Sequence, residues 1–106
     1  MAGRGANLVV IYWRDIPAQV NAQAGRTRHQ VVLDKRFQVA IDRAAIVSDK
    51  KKADEYVAEW RRDTKPCGDD LEAEATAVAA EFEATYDRDR LKALVANGGF
   101  EPTPAA

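Results

Sequence analysis

The chain has 106 residues, a hydrophobic fraction of 46%, a charged fraction of 31% and a formal net charge of −1. This length and composition predict one globular domain with a single core, and they argue against a disordered chain. The single cysteine, Cys67, excludes an intrachain disulfide, and the apolar run at residues 8–13 is too short for a signal-peptide core or a membrane span. We therefore expect a cytoplasmic protein that enters no membrane.

The first half of the chain predicts three strands and a helix. Residues 8–13 form an unbroken β-branched and aromatic run, which is typical of a strand buried on both faces in the middle of a sheet. After Pro17 apolar and polar residues alternate, and residues 27–33 follow a glycine turn, so the second and third strands form a hairpin. Asp34 suits a helix N-cap, and the apolar spacing after it predicts a helix that ends near Ser48.

The second half predicts a strand and two helices. Residues 49–63 are ambiguous, but the alternation at residues 56–61 favours a fourth strand over a helix. A capping-box-like start at Asp69 begins a helix whose outer face is almost wholly acidic. A last short helix begins at Asp87 and stops at the Asn97-Gly98 pair.

The predicted order β-β-β-α-β-α-α corresponds to an α+β fold, in which a small antiparallel sheet carries its helices packed on one face. We expect this single domain to span residues 7–98, between flexible tails at residues 1–6 and 99–106. The opposite sheet face is then exposed to solvent or covered by a partner. It carries Gln19, Asn21 and Gln23.

No strong catalytic, cofactor or metal motif occurs in the sequence: there is no Gly-rich phosphate loop, no Cys or His pair at ligand spacing and no nucleophile elbow. The basic residues of the first third are scattered and lack an aromatic-stacking motif, which argues against nucleic-acid binding. Cys67 precedes a helix start, but Asp69 and Asp70 at the same place oppose a thiolate. The residues favour a binding protein without cofactor or metal over an enzyme, and they leave the enzyme open as an alternative.

The turn after the first strand is the candidate binding surface. Arg14 and Asp15 form a charged pair between a buried strand and Pro17, and binding sites are commonly built at strand ends. The alternative interpretation is a structural ion pair in a turn, with Arg61 stacked on Trp60. The candidate residues for a partner or ligand site are Trp13, Arg14, Asp15, Gln19, Trp60 and Arg61.

Four blocks of the sequence resemble one protein family. They read YWRDIPAQV at residues 12–20, RF at 36–37 with AIDRAA at 40–45, AEWRR at 58–62, and CGDDLE at 67–72. Together they are similar to the small bacterial family labelled "virulence factor", over most of residues 7–98. The resemblance implies an α-proteobacterial protein encoded beside genes for methylenetetrahydrofolate-reductase-like and corrinoid methyltransferase proteins, and hence an accessory role in one-carbon metabolism.

Three functions stand as alternatives. The leading hypothesis is a non-catalytic accessory subunit that docks onto a protein partner, such as a methylenetetrahydrofolate-reductase-like or corrinoid enzyme, through the polar sheet face and the Arg14–Asp15 turn. The second is a small ligand-binding or enzymatic domain that holds an anionic folate-like molecule among Arg14, Asp15, Trp60 and Arg61. The third is a self-associating structural protein that forms a homo-oligomer. An enclosed pocket at those four residues favours the ligand, and a flat surface favours the partner.

Overall fold

An antiparallel sheet of four strands organises the computed structural model, which describes residues 5–50 and 52–101. Four helices accompany the sheet in these residues, so the predicted α+β class is confirmed. The elements in chain order are β1 (Ala6–Trp13), β2 (Ile16–Ala24), β3 (Thr27–Val32), α1 (Lys35–Val47), α2 (Ala53–Ala58), β4 (Trp60–Pro66), α3 (Leu71–Thr85) and α4 (Arg88–Ala96).

Strand β1 lies inside the sheet, whose spatial order is β3-β2-β1-β4. Because it is bonded on both sides, its backbone donors and acceptors are satisfied along its length, and its continuous apolar run suits a central position. The register places Leu8 opposite Ala22 and Val10 opposite Val20. The register shifts between Ile11 and Tyr12, so that Ile11 lies opposite Gln19 whereas Tyr12 lies opposite Pro17.

The helices cover one face of the sheet. On that face Leu8, Val10, Val20 and Ala22 are at most 5% exposed and belong to the hydrophobic core. Helix α3 contacts β1, β2 and β3, while α1 contacts β2 and α4. The core also takes one apolar stripe from each of these helices: Phe37, Ala40, Ile41 and Ala44 from α1, Leu71, Ala75 and Ala79 from α3, and Leu91 and Leu94 from α4.

The opposite sheet face is less open than the alternation predicts. Gln19 and Gln23 are half-buried, and Gln19 accepts a hydrogen bond from Gln30 at 3.3 Å. Asn21, at the centre of this face, is only 4% exposed, and its Oδ1 has no hydrogen-bond partner among the described residues. Its cross-strand neighbour Val9 is buried as well. The role of this face in binding a partner stays a prediction.

The fourth strand begins later than predicted, because residues 53–58 form helix α2. Asp54 and Glu55 lie in its first turn, where negative charge favours the helix dipole. The helix places Tyr56 against Trp13 and Trp60, with ring centroids 5.6 and 5.8 Å away. The prediction of a strand at Tyr56–Ala58 was wrong because a segment of six residues fits either periodicity, and here tertiary contacts decide.

The helix boundaries follow local capping. Asp34 and Asp87 accept hydrogen bonds from backbone N–H groups of α1 and α4, which confirms both predicted starts. Helix α3 starts one residue later than predicted, since its N-cap is Asp70, whose side chain accepts from Ala73 N. The predicted capping box from Asp69 is therefore not formed.

The packed chain extends past both predicted domain boundaries. Ala6 is already buried in β1, and Glu101 N donates to Asp15 Oδ2 at 2.8 Å, beyond the predicted end at residue 98. The rest of the two predicted tails, residues 1–4 and 102–106, lies outside the described residues. Within the described part of the chain, none of the helices combines the length and apolar character that crossing a bilayer requires.

We predict that Trp13→Ala lowers the free energy of unfolding by about 3–5 kcal/mol, as expected for truncation of a fully buried aromatic side chain. Trp13 is 0% exposed, and its Nε1–H donates to Tyr56 O at 2.8 Å. Urea denaturation followed by circular dichroism measures the loss. Trp60→Ala, at a half-buried position on an edge strand, is the matched control and should lose clearly less. Equal losses in the two variants would contradict the central place of Trp13 in the core.

Candidate functional site

The Arg14–Asp15 turn joins β1 to β2 and is hydrogen-bonded to segments that are distant in sequence. A two-residue hairpin connection requires a left-handed residue, a place that glycine usually fills. Arg14 holds it here with φ 56°. Its backbone N–H donates to Glu59 O at 3.1 Å, and that of Asp15 donates to Gly99 O at 2.8 Å. The turn is thereby fixed to the α2–β4 junction and to the segment after α4.

The Arg14 side chain is only 9% exposed and its charge is neutralised internally. Its Nε donates to Glu59 Oε1 at 2.9 Å, and one terminal nitrogen donates to Gly98 O at 2.8 Å. The guanidinium also lies 5.2 Å from the ring centroid of Trp13 and 4.5 Å from that of Phe100. The guanidinium thus makes two charge-assisted hydrogen bonds and two aromatic contacts within the chain.

Asp15 also finds its partners within the chain. Its Oδ1 accepts from Arg61 at 3.3 Å, and its Oδ2 accepts from Glu101 N. Arg61 Nε donates to Arg14 O at 2.8 Å, and its guanidinium lies 4.2 Å from the Tyr12 ring centroid. The ion pairs are therefore Arg14–Glu59 and Arg61–Asp15, whereas the sequence suggested an Arg14–Asp15 pair and Arg61 stacked on Trp60.

The structure brings five of the six predicted site residues together. Trp13, Arg14, Asp15, Trp60 and Arg61 surround the turn, and Trp13 lies beside Trp60 across the β1–β4 ladder. Gln19 is not among their hydrogen-bond partners: its side chain accepts from Gln30, and its backbone lies opposite Ile11 and Val32. The polar groups of the turn bond to other segments of the chain, so the turn has an evident structural role, and its role in binding stays a prediction.

Neither the thiol nor the acidic residues form a recognisable reactive centre. Burial, followed by the nearby Glu74 and Asp69 carboxylates, raises the pKa of the Cys67 thiol, which keeps it protonated at neutral pH. Across residues 5–50 and 52–101, no three His, Cys, Asp or Glu side chains are grouped so that they could hold a metal ion.

A groove between α1 and α4 combines charge with apolar surface. Its volume is about 570 Å³. The floor is aliphatic, formed by Val39, Ala40, Leu91 and Val95, and the surrounding charged side chains are all basic. These are Lys35, Arg36 and Arg43 from α1, and Arg88 and Lys92 from α4.

Most of the groove's positive charge is unpaired. Arg36 is held by Asp34 at 3.2 Å and by the carbonyl of Glu83 at 2.6 Å. The other four basic side chains make no ion pair or hydrogen bond within the described part of the chain, and no carboxylate lines the groove. Like charges gathered on one surface repel one another, so this arrangement does not stabilise the isolated fold. An apolar floor ringed by cations suits an anionic partner that also presents apolar surface.

The sequence contains part of the signal for this groove, although the groove itself was not predicted. Lys35, Val39 and Arg43 recur at helical spacing beside the core stripe of α1, and Arg88, Lys92 and Val95 do so in α4. Each helix thus carries a basic edge next to its buried face. That the two edges line one groove depends on the packing of α1 against α4, which helical periodicity does not reveal.

We predict that Arg14→Ala lowers the free energy of unfolding by about 2–3 kcal/mol, because it removes two charge-assisted hydrogen bonds and leaves a part-buried carboxylate unpaired. Arg62→Ala is the matched control: Arg62 is exposed on β4 and forms no ion pair in the described residues, so its loss should be within about 0.5 kcal/mol. Chemical denaturation of both variants measures the difference. Similar stability in the two variants would show that the Arg14 contacts do not hold the turn.

Comparison with known proteins assigns the chain to a family. The family described as "Virulence factor" matches residues 11–95, which include β2, β3 and β4, helices α1 to α3, all of α4 but its last residue, and all six predicted site residues. No curated protein matches the chain, and no solved structure does. The match extends over well more than half of the sequence, and the chain therefore belongs to the virulence factor family.

Proposed function

We propose that this member of the virulence factor family is a non-catalytic interaction module that docks onto an acidic protein surface through the groove between α1 and α4. The observation that carries the proposal is the set of four unpaired cations around an aliphatic floor. Aliphatic surface supplies binding free energy when it leaves water, and a basic rim steers and orients a negatively charged partner.

The chemistry of the groove supports binding over catalysis. Among the described residues its polar side chains are lysines and arginines, and no carboxylate, histidine, serine or cysteine of residues 5–50 and 52–101 lines it to act as a base or to activate a nucleophile. Arginine contributes rigid bidentate contacts to carboxylates, and lysine contributes an adaptable point charge. Such a mixture is suited to recognising a surface rich in aspartate and glutamate.

A finer proposal concerns the partner. The sequence resemblance suggests an accessory subunit of a bacterial one-carbon system, in which the partner is a methylenetetrahydrofolate-reductase-like or corrinoid enzyme. The groove adds a requirement to that idea: the partner presents an acidic surface with exposed apolar side chains. The polar sheet face and the Arg14–Asp15 turn are then supporting surfaces rather than the principal contact.

A second candidate function is binding of an anionic folate-like small molecule. A volume of about 570 Å³ is within the range of small-molecule sites, and the cations suit carboxylates. The unpaired charges of the groove favour it over the Arg14 turn, whose charges are paired, as the proposed place for this ligand. Calorimetric titration of the purified chain with a folate distinguishes the two, since saturable heat that is lost on reversing groove charge favours the small molecule.

The test of the principal proposal uses charge reversal in the groove. The variant Arg43→Glu/Lys92→Glu is compared with Arg62→Glu/Lys65→Glu, a control that makes the same change in net charge on the exposed strand β4. Tagged chains are expressed in the native cell, cross-linked and captured, and the bound proteins are quantified by mass spectrometry. We expect an acidic partner that the wild type and the control retain and the groove variant loses at least about tenfold.

The folding control is the melting temperature. Since the groove cations repel one another, their reversal should not lower it below that of the control variant. Equal recovery of every captured protein by the groove variant, the control and the wild type would contradict the proposal.

A further inference from the structure

We infer that the acidic surface received by the groove includes helix α3 of a second copy, so that two chains associate through reciprocal contacts between the groove of one and α3 of the other. This inference rests on the proposed function, because it names one occupant of the same groove. It is argued from the charges and the apolar surface that this chain presents on both sides of the contact.

Helix α3 has an outward face of small apolar residues. Its inward side buries Leu71, Ala75 and Ala79 in the core. On the opposite side Ala73, Ala77, Ala80 and Ala84 recur at helical spacing, and all four are exposed. Because alanine side chains are small, the two helices that form a groove can come close to the α3 backbone at this face.

Glutamates flank this alanine face on both sides. At the helical repeat, Glu72 and Glu83 lie along one side of the alanines and Glu74 and Glu81 along the other. Glu83 Oε2 accepts from Asp34 N, whereas the other three carboxylates make no ion pair within the described part of the chain. The outward side of α3 is therefore an apolar strip with two negative edges.

The groove has the same arrangement with the opposite sign. Its aliphatic floor lies between basic side chains from α1, such as Lys35 and Arg43, and basic side chains from α4, Arg88 and Lys92. A negative-edged helix laid on this floor meets a positive edge on each side. Neutralising both sets removes the repulsion that each carries in the isolated chain.

The length of the groove is compatible with the length of the alanine face of α3. Lys35 to Arg43 spans about 12 Å along α1 at 1.5 Å per residue, and Ala73 to Ala84 spans about 16 Å along α3. The groove therefore accommodates two turns of the alanine face or slightly more. Helix side chains entering a groove between two helices are a common mode of recognition.

The groove and α3 are adjacent in the same helical layer. Arg36, in the groove, donates to the carbonyls of Glu83 and Tyr86 at the end of α3, and α4 begins directly after this point. The groove opens at exposed positions of α1 and α4 beside the core residues Ala40 and Leu91, and the alanine face lies on the exposed side of α3. A twofold axis between them brings each groove to the other copy's α3, and this self-complementary contact closes as a dimer.

The experiment measures the oligomeric state of the full chain by sedimentation over a range of concentrations. The groove variant Arg43→Glu/Lys92→Glu and the helix variant Glu72→Lys/Glu81→Lys are each studied alone and as an equal mixture. Arg62→Glu/Lys65→Glu is again the control. We expect dimers for the wild type and the control, with association that weakens as NaCl rises from about 0.05 to about 0.5 M.

Each charge-reversed variant alone should associate at least about thirtyfold more weakly, and the mixture should recover the dimer. In the mixture an intact groove meets an intact α3, and the two reversed surfaces are complementary again. This recovery also shows that both variants are folded, so a loss of association in either one is not a failure to fold.

Three outcomes would overturn the inference: a wild type that is monomeric at its highest soluble concentration, a mixture that stays monomeric, or a dimer that neither reversal affects. A monomeric wild type whose groove variant still loses a captured partner would refute the dimer and leave the proposed function standing. Unchanged association together with unchanged capture would refute both.

Discussion

The end of the central strand β1 is the constraint on which the rest of the structure depends. Trp13 is fully buried there, and Arg14 turns the chain in a left-handed conformation while binding Glu59 and the carbonyl of Gly98. A Cβ on Gly99 would meet the Trp13 ring at 3.0 Å, in a backbone conformation that already favours glycine. The segment after α4 is thus fitted to this turn. Since that segment fixes the end of α4, the turn also helps to set where α4 packs beside α1 and therefore the groove between them.

Charge is used in two different ways in this small domain. Around the turn, Arg14 and Arg61 each find a carboxylate and an aromatic ring, and their hydrogen bonds join segments that are distant in sequence. In the groove, as far as the structure describes the chain, four cations face solvent with no carboxylate among them. The first arrangement stabilises the fold, and the second does not. This second arrangement is the basis of our proposal that a partner binds the groove.

Much of the fold could be predicted from the sequence because local signals and tertiary structure agree. The apolar run of β1, the alternation of β2 and the aspartate caps of α1 and α4 each specify one conformation. The sequence is less informative at residues 56–58, where a short apolar–polar alternation also fits one and a half turns of helix. There, the packing of Tyr56 between two tryptophans decides, and no local rule contains that contact.

The candidate site was harder to predict, for a related reason. Arg14 and Asp15 stand out in the sequence as charges beside a buried strand, but their partners, Glu59, Arg61 and Glu101, come from distant segments. The groove, by contrast, is made of residues that look ordinary in each helix separately. Its charge emerges only when α1 and α4 are packed together.

The central claim is that an acidic protein surface covers the groove, and acylation of lysine side chains followed by mass spectrometry tests it most directly. Lys35 and Lys92 line the groove, whereas Lys65 is exposed on strand β4. The chain is labelled in its native cell and, separately, after purification and dilution into high salt. We expect the two groove lysines to react at least about tenfold more slowly in the cell and Lys65 to react equally in both conditions. Equal protection factors for all three lysines would contradict the account.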